Sequence, residues 1–239
     1  VVHRRLIGLL AAAGTCVALT TVPSASEAVA SRAQAIEFTS TPPSGQDWFE
    51  GKSHYFPQYV ASATASSGLP IEYSIAPVSA DVCTIVAVFR DDPTWGSGAA
   101  INFRGAGTCT VWADQPGNGD YLPAPRATQS FQLEKVETWL SKVKARKGTP
   151  GRTPATFSAT LKTWAATSSF TVGIEPFPDQ VLTFSVAGRP VCSGTTGHDG
   201  VATCQAVLLR SDLLKLRFTA TYAGTDDYEP VVKNALFGG

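Results

Sequence analysis

Beyond its first thirty residues, the chain alternates apolar and polar residues with period two. Ile71-Glu72-Tyr73-Ser74-Ile75, Val181-Leu182-Thr183-Phe184-Ser185-Val186 and Leu216-Arg217-Phe218-Thr219-Ala220-Thr221-Tyr222 all follow this pattern. A strand sends successive side chains to opposite faces, so such runs suit a sheet with one face buried. They are rich in Val, Ile, Thr and aromatics and are separated by Gly, Pro and Asp turns, which predicts an all-β sandwich or barrel. Only Leu208–Leu214 resembles a helix, and no more than a turn is expected there. The 239 residues suit one large domain or two of about 100 residues, and an apolar fraction of 44% can fill the core.

A shift of 107 residues exposes an internal repeat. Thr110–Pro123 (TVWADQPGNGDYLP) lies over Arg217–Pro230 (RFTATYAGTDDYEP) without a gap, matching Ala113 with Ala220, Gly117 with Gly224, Asp120 with Asp227, Tyr121 with Tyr228 and Pro123 with Pro230. Each copy reads as a strand, a Gly/Asp loop, and a tyrosine able to pack while its hydroxyl finds a partner. The offset is the length of one sandwich domain, which predicts a duplicated module. The boundary falls near Glu134–Glu137, with a first domain over residues 31–136 and a second over 137–239. No Ser/Gly-rich linker separates them, so a short, semi-rigid junction is expected.

Residues 1–30 read as an address. Arg4 and Arg5 precede an apolar stretch, Leu6–Val22, and Ala28-Val29-Ala30 supplies a small-residue cleavage site, the pattern of a secretory signal peptide. Ala33-Gln34-Ala35 is a second candidate site. The competing reading, a retained anchor, needs seventeen residues to span a bilayer, the lower limit for a helix. Cys16 follows Thr15 where a lipidation signal usually has a small residue, so lipidation is a minor option. Cleavage would remove Arg4, Arg5 and Glu27, lowering 19 basic and 19 acidic residues to 17 and 18, a net charge of −1. That balance argues against nucleic acid as a partner, since phosphate binding needs a basic surplus. No membrane partner is expected after cleavage.

Four cysteines remain: Cys83, Cys109, Cys192 and Cys204. An even number in an exported chain reads as disulfides. Of the three possible pairings, Cys83–Cys109 with Cys192–Cys204 is the only one confined within the two halves. Each pair is expected to bracket a hairpin, one turning at Asp91–Gly98 and the other at Gly197–Gly200.

With these features the chain resembles a tandem of bacterial immunoglobulin-like domains. The first half carries the likeness in Gln34–Phe38, Ala61–Pro70, Val82-Cys83, Gly107–Val111 and the Gly117–Tyr121 loop. The second carries it in Phe157–Thr160, Val181–Phe184, Asp199–Thr203, Thr219–Gly224 and Tyr228. The resemblance implies β-sandwiches of about seven strands, used in exported proteins as stalks, spacers, adhesive modules or companions of carbohydrate-active enzymes. It implies no shared catalytic residues, and here two such units stand without the longer array or enzyme that usually accompanies them.

Chemistry-bearing motifs are few. His54 and His198 are the histidines beyond residue 30, and no nucleophile elbow, zinc-protease helix or phosphate loop accompanies them. Both are read as loop residues, and no catalytic residue, cofactor or metal site is assigned. The spacing of Cys192, His198 and Cys204 fits no common zinc site. The pairs Asp91-Asp92 and Asp226-Asp227 are read as solvated turn carboxylates rather than a calcium site. Lys142, Lys144, Arg146 and Lys147 are read as a charged edge strand that blocks sheet-to-sheet association, with a patch for anionic cell-wall polymer as the lesser reading. Alternation points Trp112 outward; Trp95 falls at the hairpin tip and Trp48 in a Pro/Gly-rich stretch ahead of the strands. Trp95 and Trp112 are therefore the candidate ligand-binding aromatics. The expected role is a non-enzymatic structural or adhesive module at the cell surface or outside the cell, its partner a surface protein or a polysaccharide. A carbohydrate-associated module is the alternative.

Overall fold

A computed structural model describes residues 31–48, 58–94, 96–149, 151–168 and 171–238. The expected signal peptide, Cys16, His54 and Trp95 lie outside the described residues. Ser31–Gly239 form one compact unit. The described chain is all-β, its only α-helix a single turn at Arg210–Leu213 (α1), where the sequence promised no more than a turn.

The N-terminal half contains β1 (Ile36–Phe38), β2 (Tyr59–Ala61), β3 (Ala63–Ala65), β4 (Glu72–Ile75), β5 (Cys83–Asp92), β6 (Gly96–Phe103), β7 (Gly107–Asp114) and β8 (Ala127–Leu133). β2, β6 and β5 make one antiparallel sheet and β4, β7 and β8 another, while β3, one residue beyond β2, pairs with β1. Between them Cys83, Ile101, Phe103, Cys109, Val111, Phe131 and Leu133 form a core, with Trp48 and Val136 packed into it. Near β1 the core narrows to Ala63, Ala65, Ile71 and Ala113.

The C-terminal half contains β9 (Thr138–Arg146), β10 (Ala155–Ser168), β11 (Thr171–Pro176), β12 (Val181–Val186), β13 (Arg189–Thr195), β14 (Val201–Ala206), β15 (Arg217–Tyr222) and β16 (Val231–Leu236). The long β10 pairs with β9, β11 and β14; the second sheet runs β13-β12-β15-β16. Phe157, Leu161, Leu182, Phe184 and Phe218 are fully buried between the sheets, with the rings of Phe157 and Phe218 5.4 Å apart. β9 bulges at Lys142, whose φ is +46°. Lys142, Lys144 and Arg146 are exposed along it, consistent with a charged edge strand.

Both expected disulfides are present, Cys83–Cys109 with Cα atoms 5.7 Å apart and Cys192–Cys204 with 6.1 Å. Their setting corrects the hairpin expectation. The β5–β6 hairpin exists, but Cys109 lies on β7, in the other sheet. Cys192 on β13 and Cys204 on β14 also belong to different sheets, because the turn between them carries the chain across the sandwich. Each bridge ties sheet to sheet. Local turn residues announce a reversal of direction; which strand pairs next depends on contacts far away in sequence.

Candidate functional site

The repeated segment is repeated in geometry. In the first copy, Gly117 has φ +80°, and Asn118 N donates to Tyr121 O at 2.9 Å. In the second, Gly224 has φ +79°, and Thr225 N donates to Tyr228 O at 3.0 Å. Asn118 Oδ1 accepts from Asp120 N and Tyr121 N; Thr225 Oγ1 accepts from Asp227 N and Tyr228 N. Each loop is then clamped by a residue ahead of the first strand of its own half. Arg32 N donates to Asp120 O at 2.7 Å and Leu122 N to Arg32 O at 2.9 Å. Val136 N donates to Asp227 O and Glu229 N to Val136 O, both at 2.9 Å.

The second loop also makes the joint between the halves. Trp48 Nε1 donates to Asp227 O at 3.0 Å, and the Trp48 ring meets the edge of Tyr228 at 6.0 Å between centroids. Asp227 Oδ1 accepts from Ala106 N at 2.9 Å. Lys135 Nζ donates to Thr225 O at 2.6 Å, and Tyr228 stacks obliquely on Phe177 at 4.5 Å. Burial, then the neighbouring Asp227 and Tyr222 charges, push the Tyr228 phenol above its ordinary pKa. The link is also held from the other side: Glu134 N donates to Gln46 O, and Trp48 N to Glu134 O. Two sequence readings change here. Asp227 is a bonded, half-buried carboxylate and not a solvated one, and Trp48 belongs to the joint.

Trp112 lies on the outer face of the β4-β7-β8 sheet, as alternation requires, while Cys109, Val111 and Ala113 are fully buried beneath. The guanidinium of Arg126 sits over its ring, 4.0 Å from the centroid. Asp114 holds that guanidinium in place, accepting from Nε at 2.8 Å and Nη2 at 2.9 Å. The hydrogen bond to Asp114 raises the Arg126 pKa. The ring face on this side is occupied by the cation, so a sugar stacking on this side of Trp112 must first displace Arg126. No protein-family model matches the chain, and neither curated proteins nor solved structures give a match. Around Trp112 the face is polar, with Thr110 bonded to Ser130 and Thr108 Oγ1 donating to Gln132, both at 2.9 Å.

A groove of about 420 Å³ runs beside the β5–β6 hairpin, between Ala63–Ala65 and Gly68–Tyr73 on one side and Val88–Asp91 on the other. Its Asp91 Oδ1 accepts from Ser97 Oγ at 3.1 Å. Tyr73 is tied up, its hydroxyl accepting from Ala63 N at 2.8 Å. His198 is exposed in the β13–β14 turn, where Asp199 Oδ1 accepts from Val201 N at 3.0 Å. Both cysteines flanking that turn are consumed in the disulfide, which removes the zinc option. Among the described residues no group of three His, Cys, Asp or Glu residues is placed to hold a metal ion, and no helix is long and apolar enough to cross a membrane. Sequence reasoning missed Arg126 and Ala106. Arg126 is brought over Trp112 only through the β7–β8 register, and Ala106 N is 121 residues from its acceptor.

Proposed function

We propose that the chain is an exported, non-enzymatic tandem of two immunoglobulin-like domains, residues 31–136 and 137–239, behind a signal peptide over 1–30. It serves as a structural or adhesive module at the cell surface or outside the cell. Strand order supports this reading. With β2 and β3 counted as one interrupted strand, the N-terminal half groups its first, second, fifth and fourth strands against its third, sixth and seventh, the arrangement of a seven-stranded immunoglobulin sandwich. The C-terminal half groups β9, β10 and β14 against β13, β12, β15 and β16, so its fourth strand has changed sheets, and the added β11 folds back on the far part of β10. Two buried or half-buried disulfides suit an oxidising extracellular compartment.

The observation that carries the structural role is the joint. A spacer works by holding what lies on either side at a fixed separation, and here a loop of the second half is bonded through side chain and backbone to the first. Protease shaving of intact producing cells, with attachment measured in a deletion strain, tests the proposal. Release of fragments and lost attachment support it; full protection inside the cell overturns it. The carbohydrate-associated alternative draws on the groove beside the β5–β6 hairpin, because Trp112 is covered. Glycan-array binding that survives Trp112→Ala and is lost on Trp95→Ala would favour that alternative.

A further inference from the structure

Charge in the C-terminal half is segregated by end. The end at the joint holds Glu137, Asp179, Asp199, Asp226, Asp227 and Glu229, in the loops and strand starts on that side. At the opposite end, the close of β9 and the loop after it carry Arg146, Lys147 and Arg152, and the connection around α1 carries Arg210, Lys215 and Arg217. Asp212 is the single carboxylate side chain there among the described residues. It is only 9% exposed, ion-paired with Arg189, and accepts from Leu209 N at 3.0 Å.

The same connection, residues 207–216, presents bare aliphatic side chains. Val207, Leu209, Leu214 and Leu216 are 61%, 60%, 82% and 71% exposed. The Asp212 contacts hold α1, so these side chains are displayed by a braced turn beside the Ala187-Gly188 corner of the β12–β13 hairpin. A soluble polyanion would use the cations and gain nothing from the leucines. An apolar protein partner would use the leucines and gain little from a surplus of cations. A bilayer with acidic headgroups uses both: each Lys or Arg near it is drawn to the negative surface and the aliphatic groups enter the headgroup–acyl boundary.

We propose that this end of the C-terminal half docks peripherally on an anionic lipid surface, with Leu209, Leu214 and Leu216 inserted and Arg210, Lys215 and Arg217 at the phosphates. Net neutrality of the whole chain does not oppose this, because apart from Asp212 the compensating acids lie elsewhere, toward the joint or in the N-terminal half, and charges act over only roughly 8 Å at physiological salt.

The test is co-sedimentation of the full chain with phosphatidylglycerol/phosphatidylcholine vesicles and with pure phosphatidylcholine vesicles. The variants are Leu214→Ser/Leu216→Ser and Lys215→Glu/Arg217→Glu, each checked for intact disulfides and an unchanged β circular-dichroism spectrum. Binding to the acidic vesicles alone, weakened by salt and lowered tenfold or more by both variants, is the result expected. Four outcomes overturn the proposal. They are no binding to acidic vesicles, binding unchanged in both variants, which would locate it in residues 1–30, loss only in the charge variant with equal affinity for soluble polyphosphate, and a self-associated chain that becomes monomeric in the leucine variant.

Discussion

Gly117 and Gly224 stand at equivalent points of two loops 107 residues apart, and each has a positive φ. A Cβ on Gly117 would lie 2.9 Å from Pro123 N, and one on Gly224 2.9 Å from Pro230 N. Neither backbone can retreat, because both loops are clamped from outside. Gly117→Ala and Gly224→Ala are each expected to lower stability by more than about 1 kcal/mol. Gly119→Ala, which meets nothing within 4 Å and has no positive φ, should leave it unchanged. Urea denaturation of the three variants checks this. Tyrosines give a second prediction. Burial raises the pKa of Tyr59, Tyr73, Tyr222 and Tyr228. A phenol held protonated in the fold contributes stability fully present below its unfolded pKa of about 10 and lost as pH rises through the folded value. Thermal midpoints should hold up to about pH 10 and then fall, with tyrosinate absorbance rising late in the native protein and early in urea.

Among the elements, the two disulfides divide by exposure. Cys83 and Cys109 are 1% and 0% exposed, whereas Cys192 and Cys204 are only partly buried. Mild reductant should open Cys192–Cys204 in the native protein and leave Cys83–Cys109 closed until the chain unfolds. Mass mapping after quenched alkylation reads the order, and the reverse order would contradict the burial. Chain-entropy reasoning assigns about 3.5 kcal/mol to the bridge spanning 26 residues and about 3 to the one spanning 12. The elements also mark how far sequence reasoning reached. β12 and β15 lie within the alternating runs that announced them, since burial on one face leaves its imprint residue by residue. The sheet that each strand joins was not legible: Asp199-Gly200 marks a turn in either case, and while β13 folds back on its neighbour β12, only β10, distant in sequence, decides where β14 pairs. The Asp227 carboxylate was misread for the same reason, its donor being on the other half of the chain.

For the whole molecule, the joint decides whether the halves move together. Asp227→Ala leaves Ala106 N without its acceptor and should cost about 1 kcal/mol, while Asp226→Ala, exposed and outside that contact, should stay within about 0.5 kcal/mol. The informative readout is rotational diffusion from nitrogen-15 relaxation. The two halves should share one correlation time in the parent chain and separate in Asp227→Ala; equal values in the variant would mean that the joint is held by other contacts.

Trp48 and Ala106 on one side and the Thr225–Tyr228 loop on the other are unlike surfaces, so the joint is heterologous and lacks the two-fold self-complementarity that closes a pair. Its internal counterpart, the Asn118–Tyr121 loop, has the same conformation, with Arg32 stacked on Tyr121. A joint of this kind has a direction. Repeated with identical geometry it would not close on itself as a dimer does; each added unit would be rotated and advanced by the same amount, and the product would be a screw.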